Sequence, residues 1–418
     1  MGFQQGLSGL KAASKSLEAI GNNVANSQTV GFKASQAQFS DVYANSLAGG
    51  SGAETGLGVS VSKVAQQFTQ GNVTSSNNPL DIAINGEGFF RMNTNGNITY
   101  TRNGQFQLDK AGFIVGSSGA HLSGFAADAN GVLVPGAPVD LKISASDLPP
   151  KQTPVVRASV NLDSRIVAPE SLTPAGVRPP FAVDDPLSYD SATSISIFDS
   201  LGNSHVLQTY FTKTATANVW SVYGAVDGAA LGTTPVTTLT FTQSGILSPV
   251  PDLAALPPVS IVLTPANGSV TPIDIGLNFT DSTQFGSNYS VNKLSQDGYA
   301  SGRLSGFNTS ADGTIVGRYT NGQSLVMGQI AMGGFANQNG LQPLGGNMFA
   351  ATASSGPALV NKPGSATLGV LQASAVEDSN VDLTAELVNM ITAQRYYQAN
   401  SQTIKTEDQI LQTLINLR

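Results

Sequence analysis

The 418-residue chain contains no cysteine, which excludes disulfide bonds, thiolate nucleophiles and cysteine-ligated metals. Charged residues make up only 11% of it, against about 25% in an average soluble protein. The surface must therefore consist mainly of serine, threonine, asparagine, glutamine and glycine. Such a surface suits a protein that packs against copies of itself, because few charges lose water on contact, although secreted β-proteins can share it.

Two further absences limit the possible partners. The net charge is −7 and the sequence pI is about 4.8, whereas a nucleic-acid partner would favour a basic stripe. Apolar runs of about 18 residues are absent, so no membrane-spanning helix is predicted. The start of the chain, MGFQQGLSGLKAASKSLEAIG, has neither a continuous apolar core nor a clear cleavage site. We therefore expect no cleaved secretory signal.

Residues that could carry chemistry are few. His121 and His205 lie in separate predicted domains, and the common hydrolase, metalloprotease and dinucleotide-binding motifs are absent. The stretch FDSLGNSH (198–205) is typical of a turn, and the acidic pair Glu377-Asp378 is predicted to lie in a loop. The sequence therefore predicts no catalytic, cofactor-binding or metal site, and we expect the protein not to be an enzyme.

Both ends of the chain have the spacing of amphipathic helices. The first helix is predicted to end near Gly31, and the last begins where Ser379 and Asp382 resemble a capping box. One apolar seam follows the first helix with spacings of four, three and seven residues. Its members are Phe3, Leu7, Leu10, Leu17 and Val24.

The C-terminal helix carries two seams, each with a seven-residue repeat. The main seam is apolar throughout and consists of Leu383, Met390, Tyr397, Ile404 and Leu411. The second seam is polar in its middle and consists of Leu387, Gln394, Ser401, Asp408 and Ile415. Such a helix spans roughly 50 Å, which is too long for burial by one small domain. We therefore expect the terminal helices to pair with each other and with neighbouring copies.

The expected assembly interface comprises the apolar positions Phe3, Leu7, Leu10, Leu17, Val24, Leu383, Leu387, Met390, Tyr397, Ile404, Leu411 and Leu414. The polar middle of the second seam, at Gln394, Ser401 and Asp408, is expected to face polar partners or the lumen of a tube. Seams of this kind also occur in helices packed within their own domain, and that alternative stays open.

Between the helices, Asn-Gly turns and short alternating stretches predict β-hairpins. A proline-rich span after residue 147 separates two β-regions of different texture. We predict a multidomain fold with a coiled-coil-like terminal helical domain and two mainly-β domains nested by excursion and return of the chain. The expected divisions are 1–32 with 376–418 (terminal helices), 33–75 (extended linker), 76–146 with 291–375 (inner β-domain) and 147–290 (outer β-domain).

The segment LEAIGNNVANSQTVGFK (17–33) resembles the N-terminal signature of bacterial flagellar axial proteins, the rod and hook subunits. The matching positions include Asn22, Asn23, Asn26, Gly31, Phe32 and Lys33, while Val24 replaces the commoner isoleucine. LDIAINGEGFFRM (80–92) and DSNVDLTAELVNMITAQRYYQAN (378–400) resemble two further signatures of that family. TIKTEDQILQTLINLR (403–418) is similar to the way hook subunits end.

The resemblance implies a function as well as a fold. The insert at 147–290 favours the hook branch, whose subunits are exported by the flagellar type III apparatus and stack helically into a flexible curved tube. That tube transmits torque from motor and rod to the filament. The implied partners are many copies of the chain, rod and hook–filament junction proteins at the ends, and the hook cap and export apparatus during assembly. The implied location is extracellular, on the flagellum. The resemblance implies no cofactor.

Two other interpretations remain open from the sequence. The distal rod subunit of the same family would form a straight, stiff polymer. A secreted β-rich adhesin or glycan-active protein would instead act as a monomer through an aromatic pocket or a carboxylate pair. Its candidate residues are Trp220, Tyr223 and His205 in the second β-region.

Overall fold

The computed structural model describes residues 2–42, 56, 58–144, 146–168, 170, 176–248, 259–261, 268–269 and 273–416. The chain forms two compact units. Unit 1 consists of Met1–Ala145, Ser305–Arg318 and Ser324–Arg418, and unit 2 consists of Ser146–Leu304 and Tyr319–Gln323. The predicted fold class, with helices at both ends of a mostly-β middle, is confirmed.

The two long helices are α1 (Gly2–Ala25) and α2 (Leu383–Asn416). The first ends six residues before Gly31, because the Asn26 side chain donates to the Asn22 carbonyl and a turn follows. At the start of α2, the Asp382 carboxylate accepts hydrogen bonds from the backbone N–H of Thr384 and Ala385. Asp382, rather than Ser379, is therefore the residue that caps α2.

The described residues between α1 and Asp140 form ten strands. They are β1 (Ser35–Val42), β2 (Gly58–Gln66), β3 (Val73–Ser75), β4 (Ile82–Asn85), β5 (Phe89–Thr94), β6 (Asn97–Thr101), β7 (Phe106–Leu108), β8 (Ile114–Gly116), β9 (His121–Ala126) and β10 (Val139–Asp140).

The expected extended linker at 33–75 differs from the structure. β1 and β2 pair antiparallel from Ser35 opposite Gln66 to Val42 opposite Gly58, with a register shift between Gln38 and Phe39. The segment SQAQFSDV forms a strand, although its small and polar residues had predicted a linker. Residues 43–55 and 57 of the expected linker lie outside the described residues.

The described residues of unit 2 form nine strands. They are β11 (Val155–Asn161), β12 (Ser191–Phe198), β13 (Ser204–Lys213), β14 (Val219–Val226), β15 (Ala229–Ala230), β16 (Thr237–Thr240), β17 (Val259–Ile261), β18 (Ile273–Asn278) and β19 (Ser290–Gln296). In one sheet β11 lies between β18 and β19, and in the other β12, β13 and β14 form an antiparallel meander. Their apolar faces enclose a core that includes Phe211, Trp220 and Phe279. Unit 2 thus runs past the expected boundary at residue 290, because β19 pairs with β11.

The return through unit 1 adds nine strands. They are β20 (Leu304–Thr309), β21 (Thr314–Tyr319), β22 (Ser324–Ile330), β23 (Met332–Gly334), β24 (Gln342–Gly345), β25 (Met348–Ala350), β26 (Leu359–Asn361), β27 (Val370–Ala373) and β28 (Ala375–Glu377). β22 pairs with β9, β25 with β6, β27 with β4 and β28 with β3. These pairings join the two halves of the inner β-region. Edge-to-face aromatic contacts among Phe68, Phe89, Phe335 and Phe349 fill its core.

Candidate assembly surface

The two terminal helices pack antiparallel through small residues of α1. A Cβ atom added at Gly6 would lie 3.0 Å from Ile404 Cγ1, and one added at Gly9 would lie 2.5 Å from Asn400 Oδ1. At the other end of α1, Asn23 donates to Glu386 Oε1 at 3.2 Å. Because glycine has no side chain, the helix backbones come close together here.

The predicted apolar seam of α1 is displaced from this contact. The buried positions on α1 are Gly6, Ala13 and Asn23, roughly a quarter turn from the seam at 100° per residue. Of the seam residues, Phe3 and Leu7 are 46% and 38% exposed, and Leu10, Leu17 and Val24 are partly buried. The large side chains of α1 thus remain available at the surface of a single chain.

The main seam of α2 is only partly used within the chain. Met390 and Ile404 are partly buried, whereas Leu383, Tyr397 and Leu411 are 46%, 38% and 52% exposed. Among the described side chains of α2, the buried apolar one is Ala393, which lies beside the main seam on the side away from the second seam. Intramolecular pairing therefore covers a narrow stripe of α2 and leaves most of its circumference exposed.

The second seam of α2 is largely exposed. Leu387 and Ile415 are 46% and 74% exposed, Gln394 and Asp408 are exposed, and Ser401 is partly buried. The side chain of Leu414 lies outside the described residues. The single chain thus places none of the three polar residues in an apolar core.

The asparagines of the N-terminal signature join α1 to the hairpin and to α2. Asn23 is buried, and its Oδ1 accepts from the Ser35 N–H at 2.8 Å while its Nδ2 donates to the Ser35 carbonyl at 2.9 Å. Three residues before α2, Asn380 accepts from the Ala34 N–H and donates to the Gln67 carbonyl. Two side chains, one from α1 and one from the segment that precedes α2, therefore anchor the end of the β1–β2 hairpin.

Lys33, the last residue of the signature, ends in a buried ionic cluster. Its Nζ lies 2.6 Å from Glu377 Oε1 and donates to the Thr69 carbonyl at 2.8 Å. The Glu377 carboxylate also accepts from Arg102 Nη1 at 3.1 Å and from the Gly71 N–H at 2.9 Å. All three charged side chains are at most 1% exposed. The cluster holds the segment that follows α1, and the end of β28, against the inner β-region.

Burial sets the electrostatics of this cluster. Desolvation lowers the pKa of Lys33 below its ordinary value, and attraction to Glu377 partly opposes that change. Desolvation likewise lowers the pKa of Arg102, and Glu377 again opposes it. The Glu377 carboxylate is therefore the group that stabilises the charged forms of Lys33 and Arg102 in the buried cluster.

Gly31 allows the chain to pass close to the inner β-region. Its φ is +71°, and an added Cβ would lie 2.6 Å from the backbone nitrogen of Asn103. Its N–H donates to the Glu377 carbonyl at 2.7 Å. Phe32, which follows it, is partly buried. The glycine of the signature thus serves both the turn and the approach of two backbone segments.

Sequence reasoning missed the partners of the signature. Glu377 was expected in a loop, but it ends strand β28 and is completely buried. Asn380 lies in the signature segment 378–400, but neither it nor Arg102 carried a local signal that identified its partner. Their partners are 275 and up to 346 residues away in sequence, so no spacing rule could have found them.

Four flagellar family models match successive parts of the chain. The flagella basal body rod protein model matches residues 3–33, and the flagellar hook protein FlgE/F/G D1 domain matches 83–147. The flagellar basal body protein FlaE D2 domain matches 161–299, and the flagellar basal body rod FlgEFG protein C-terminal model matches 372–417. The flagellar hook protein FlgE of Salmonella typhimurium is 42% identical, with 100% of both chains covered. The chain belongs to the flagellar hook protein family.

Other members of the hook protein family agree along the full length. FlgE of Escherichia coli K12 is 40% identical with 100% of both chains covered, and FlgE of Borreliella burgdorferi is 31% identical over 99% of this chain and 98% of its own. The crystal structure of Helicobacter pylori FlgE2 covers 73% of this chain and 100% of its own with a TM-score of 0.53. At 14% identity, that match shows a shared fold.

The glycan-pocket interpretation does not suit this hook-family chain. Trp220 is fully buried in the core of unit 2 and donates to Gln284 Oε1 at 3.2 Å. Tyr223 stacks on Phe181 at 4.4 Å, and His205 pairs with Asp227 at 2.7 Å. The three candidate residues therefore serve internal packing and hydrogen bonding.

Across the described helices, none is long and apolar enough to cross a membrane.

Proposed function

We propose that this chain is a structural subunit of the bacterial flagellar hook and that it assembles helically into a flexible, curved tube. The tube transmits torque from the motor and rod to the filament. The proposal follows from identity of about 40% to hook proteins over the full chain. It assigns the protein no catalytic role and places it outside the cell, on the flagellum.

The observation that supports polymerisation is the unpaired apolar surface of the terminal helices. Phe3 and Leu7 on α1, with Leu383, Leu387 and Leu411 on α2, are each at least 38% exposed. Exposed apolar patches on a folded chain mark sites of association. We infer that these residues, together with the rest of the predicted interface, are covered by neighbouring copies through heterologous contacts that repeat without closing.

Electron microscopy of the concentrated full-length protein tests this proposal. Wild type should form curved tubes, and Leu10→Glu should abolish them, because a charge would enter an apolar contact. Lys15→Glu is a control, since Lys15 is an exposed residue of the same helix. Monomers of Leu10→Glu that remain folded by circular dichroism and still form tubes would contradict the assigned interface.

The same microscopy separates hook from distal rod. A straight, stiff polymer would favour the rod subunit, and a curved, flexible one favours the hook. The partners at the ends of the tube would be rod and junction proteins, and the cap and export apparatus would act during assembly. Gln394, Ser401 and Asp408 would face the lumen or polar partners.

A further inference from the structure

The described part of α2 extends beyond α1. Along α1 from Gly6 to Asn23, the partner on α2 moves from Ile404 to Glu386, so the register is nearly one residue for one. By this register, Gly2 lies opposite about residue 408. The last eight described residues of α2, 409–416, therefore project about 12 Å past α1, and we call them the overhang.

The overhang carries no charge, and half of its residues are apolar. Its sequence is QILQTLIN, and Ile410, Leu411 and Ile415 are 50%, 52% and 74% exposed. Leu411 and Ile415 continue the row of α2 that begins at Ile404, which packs on Gly6. The overhang therefore presents to solvent the same face that α2 uses to bind a helix.

A groove lies at the opposite end of the same helix pair. Its volume is about 550 Å³, within the range of about 300–1,000 Å³ typical of pockets for sizeable ligands. It lies between α1, β1 and α2, and its lining includes Ala19, Ile20, Phe39, Thr392 and Ala393. Its one charged lining residue is Glu386, which already accepts from Asn23.

We propose that the overhang of one copy fills this groove in the next copy. An uncharged segment that carries exposed isoleucine and leucine side chains can bury apolar surface in a nearly uncharged groove without stripping water from charges. The two surfaces lie at opposite ends of one helix pair, so each copy that docks offers a fresh overhang to the next. This inference rests on the proposed function, and it names which segment of the neighbour is bound and where.

Disulfide trapping tests the contact directly, because the chain has no cysteine of its own. Leu411→Cys and Thr392→Cys place one thiol in the overhang and one in the groove. Within one straight helix the two positions are about 28 Å apart, far beyond the Cα separation of about 7 Å that a disulfide tolerates. A bond between them must therefore join two chains.

The double variant, oxidised under polymerising conditions, should give a ladder of covalent multimers. A control variant pairs Leu411→Cys with Gln402→Cys, which is exposed on α2 but does not line the groove. We expect at least about tenfold less cross-linking in the control, because only docked thiols reach millimolar effective concentration. Equal ladders, or tubes without a ladder, would overturn the groove contact while leaving polymerisation intact. Absence of polymer from wild type would refute the proposed function and this inference with it.

A second variant needs no cysteine. Ala19→Trp should fill the groove and raise the protein concentration at which tubes form by about tenfold, the effect of losing one modest contact. Ala19→Ser keeps the groove open and should polymerise as wild type does. Tubes of Ala19→Trp at the wild-type concentration would show that the groove is not the docking site.

Discussion

Substitution of Glu377 by glutamine tests whether the buried cluster holds unit 1 together. The variant keeps the shape of the side chain but removes the charge that Lys33 and Arg102 share. Breaking a buried pair by removing one partner typically costs about 3–5 kcal/mol, because the remaining charge stays buried without compensation. We expect Glu377→Gln to lower the free energy of unfolding of unit 1 by that amount.

An exposed pair of the same chemistry gives the matched control. Lys15 and Glu18 approach to 2.7 Å, close to the 2.6 Å between Lys33 and Glu377, but their side chains are 46% and 61% exposed. Exposed pairs contribute about 0–1 kcal/mol, so Glu18→Gln should leave the unfolding transition nearly unchanged. A difference between the two variants therefore measures the effect of burial.

Urea unfolding can follow the two units separately. The single tryptophan, Trp220, lies in unit 2, so its fluorescence reports that unit, whereas circular dichroism of the helices reports unit 1. Glu377→Gln should shift the helical transition and leave the fluorescence transition in place. A loss below about 1 kcal/mol, or an equal shift of both signals, would refute the reasoning.

The stability that Glu377→Gln loses should also depend on pH. Because burial lowers the pKa of Lys33 from 10.5, the folded state binds fewer protons there than the unfolded state at pH values between the folded pKa and 10.5. Stability from this group therefore rises with pH across that window. Without Glu377 the pKa of Lys33 should fall further, so Glu377→Gln should lose least stability at alkaline pH.

Three further substitutions test local features. Gly9→Leu should separate α1 from α2 and block assembly, whereas Gly21→Leu, where an added Cβ meets nothing within 4 Å, should not; circular dichroism and microscopy check both. Gly31→Ala should destabilise unit 1 more than Gly119→Ala in thermal unfolding, because both have positive φ but only Gly31 faces a backbone at close range. Asp199→Ala should destabilise unit 2 by about 1–3 kcal/mol in urea, since backbone N–H groups lose their acceptor. Burial alone raises the pKa of Asp199, but the hydrogen bonds that its carboxylate accepts lower the pKa overall. The stability that Asp199 contributes is therefore present above pH 3.8 and is lost as the pH falls through the folded pKa.

Local sequence patterns were sufficient to predict the terminal helices, the hairpins and their order along the chain. The seven-residue repeats predicted α1 and α2, because apolar spacing on a helix is a property of residues three and four apart. Asn-Gly turns at Asn95-Gly96 and Asn321-Gly322 close hairpins as expected, since both depend on the backbone preferences of two adjacent residues. The family resemblance likewise used contiguous segments.

Composition gave the wrong prediction for strands whose pairing partners are far away in the sequence. β1 and β2 read as a linker, yet each supplies the backbone partners that the other lacks. β28 read as a loop, but it pairs with β3 across some 300 residues, which buries Glu377 beside Lys33. No short window contains both partners of such a contact.

The sequence by itself determined that two amphipathic helices end a mostly-β chain, because periodicity is local. Only the tertiary structure decided which face of each helix meets the other. The large side chains of α1 predicted the contact, but the closest approach is at Gly6 and Gly9, where the absence of side chains lets two backbones come together. That choice leaves Phe3, Leu7 and the apolar end of α2 exposed, and so leaves them free to bind a neighbouring copy.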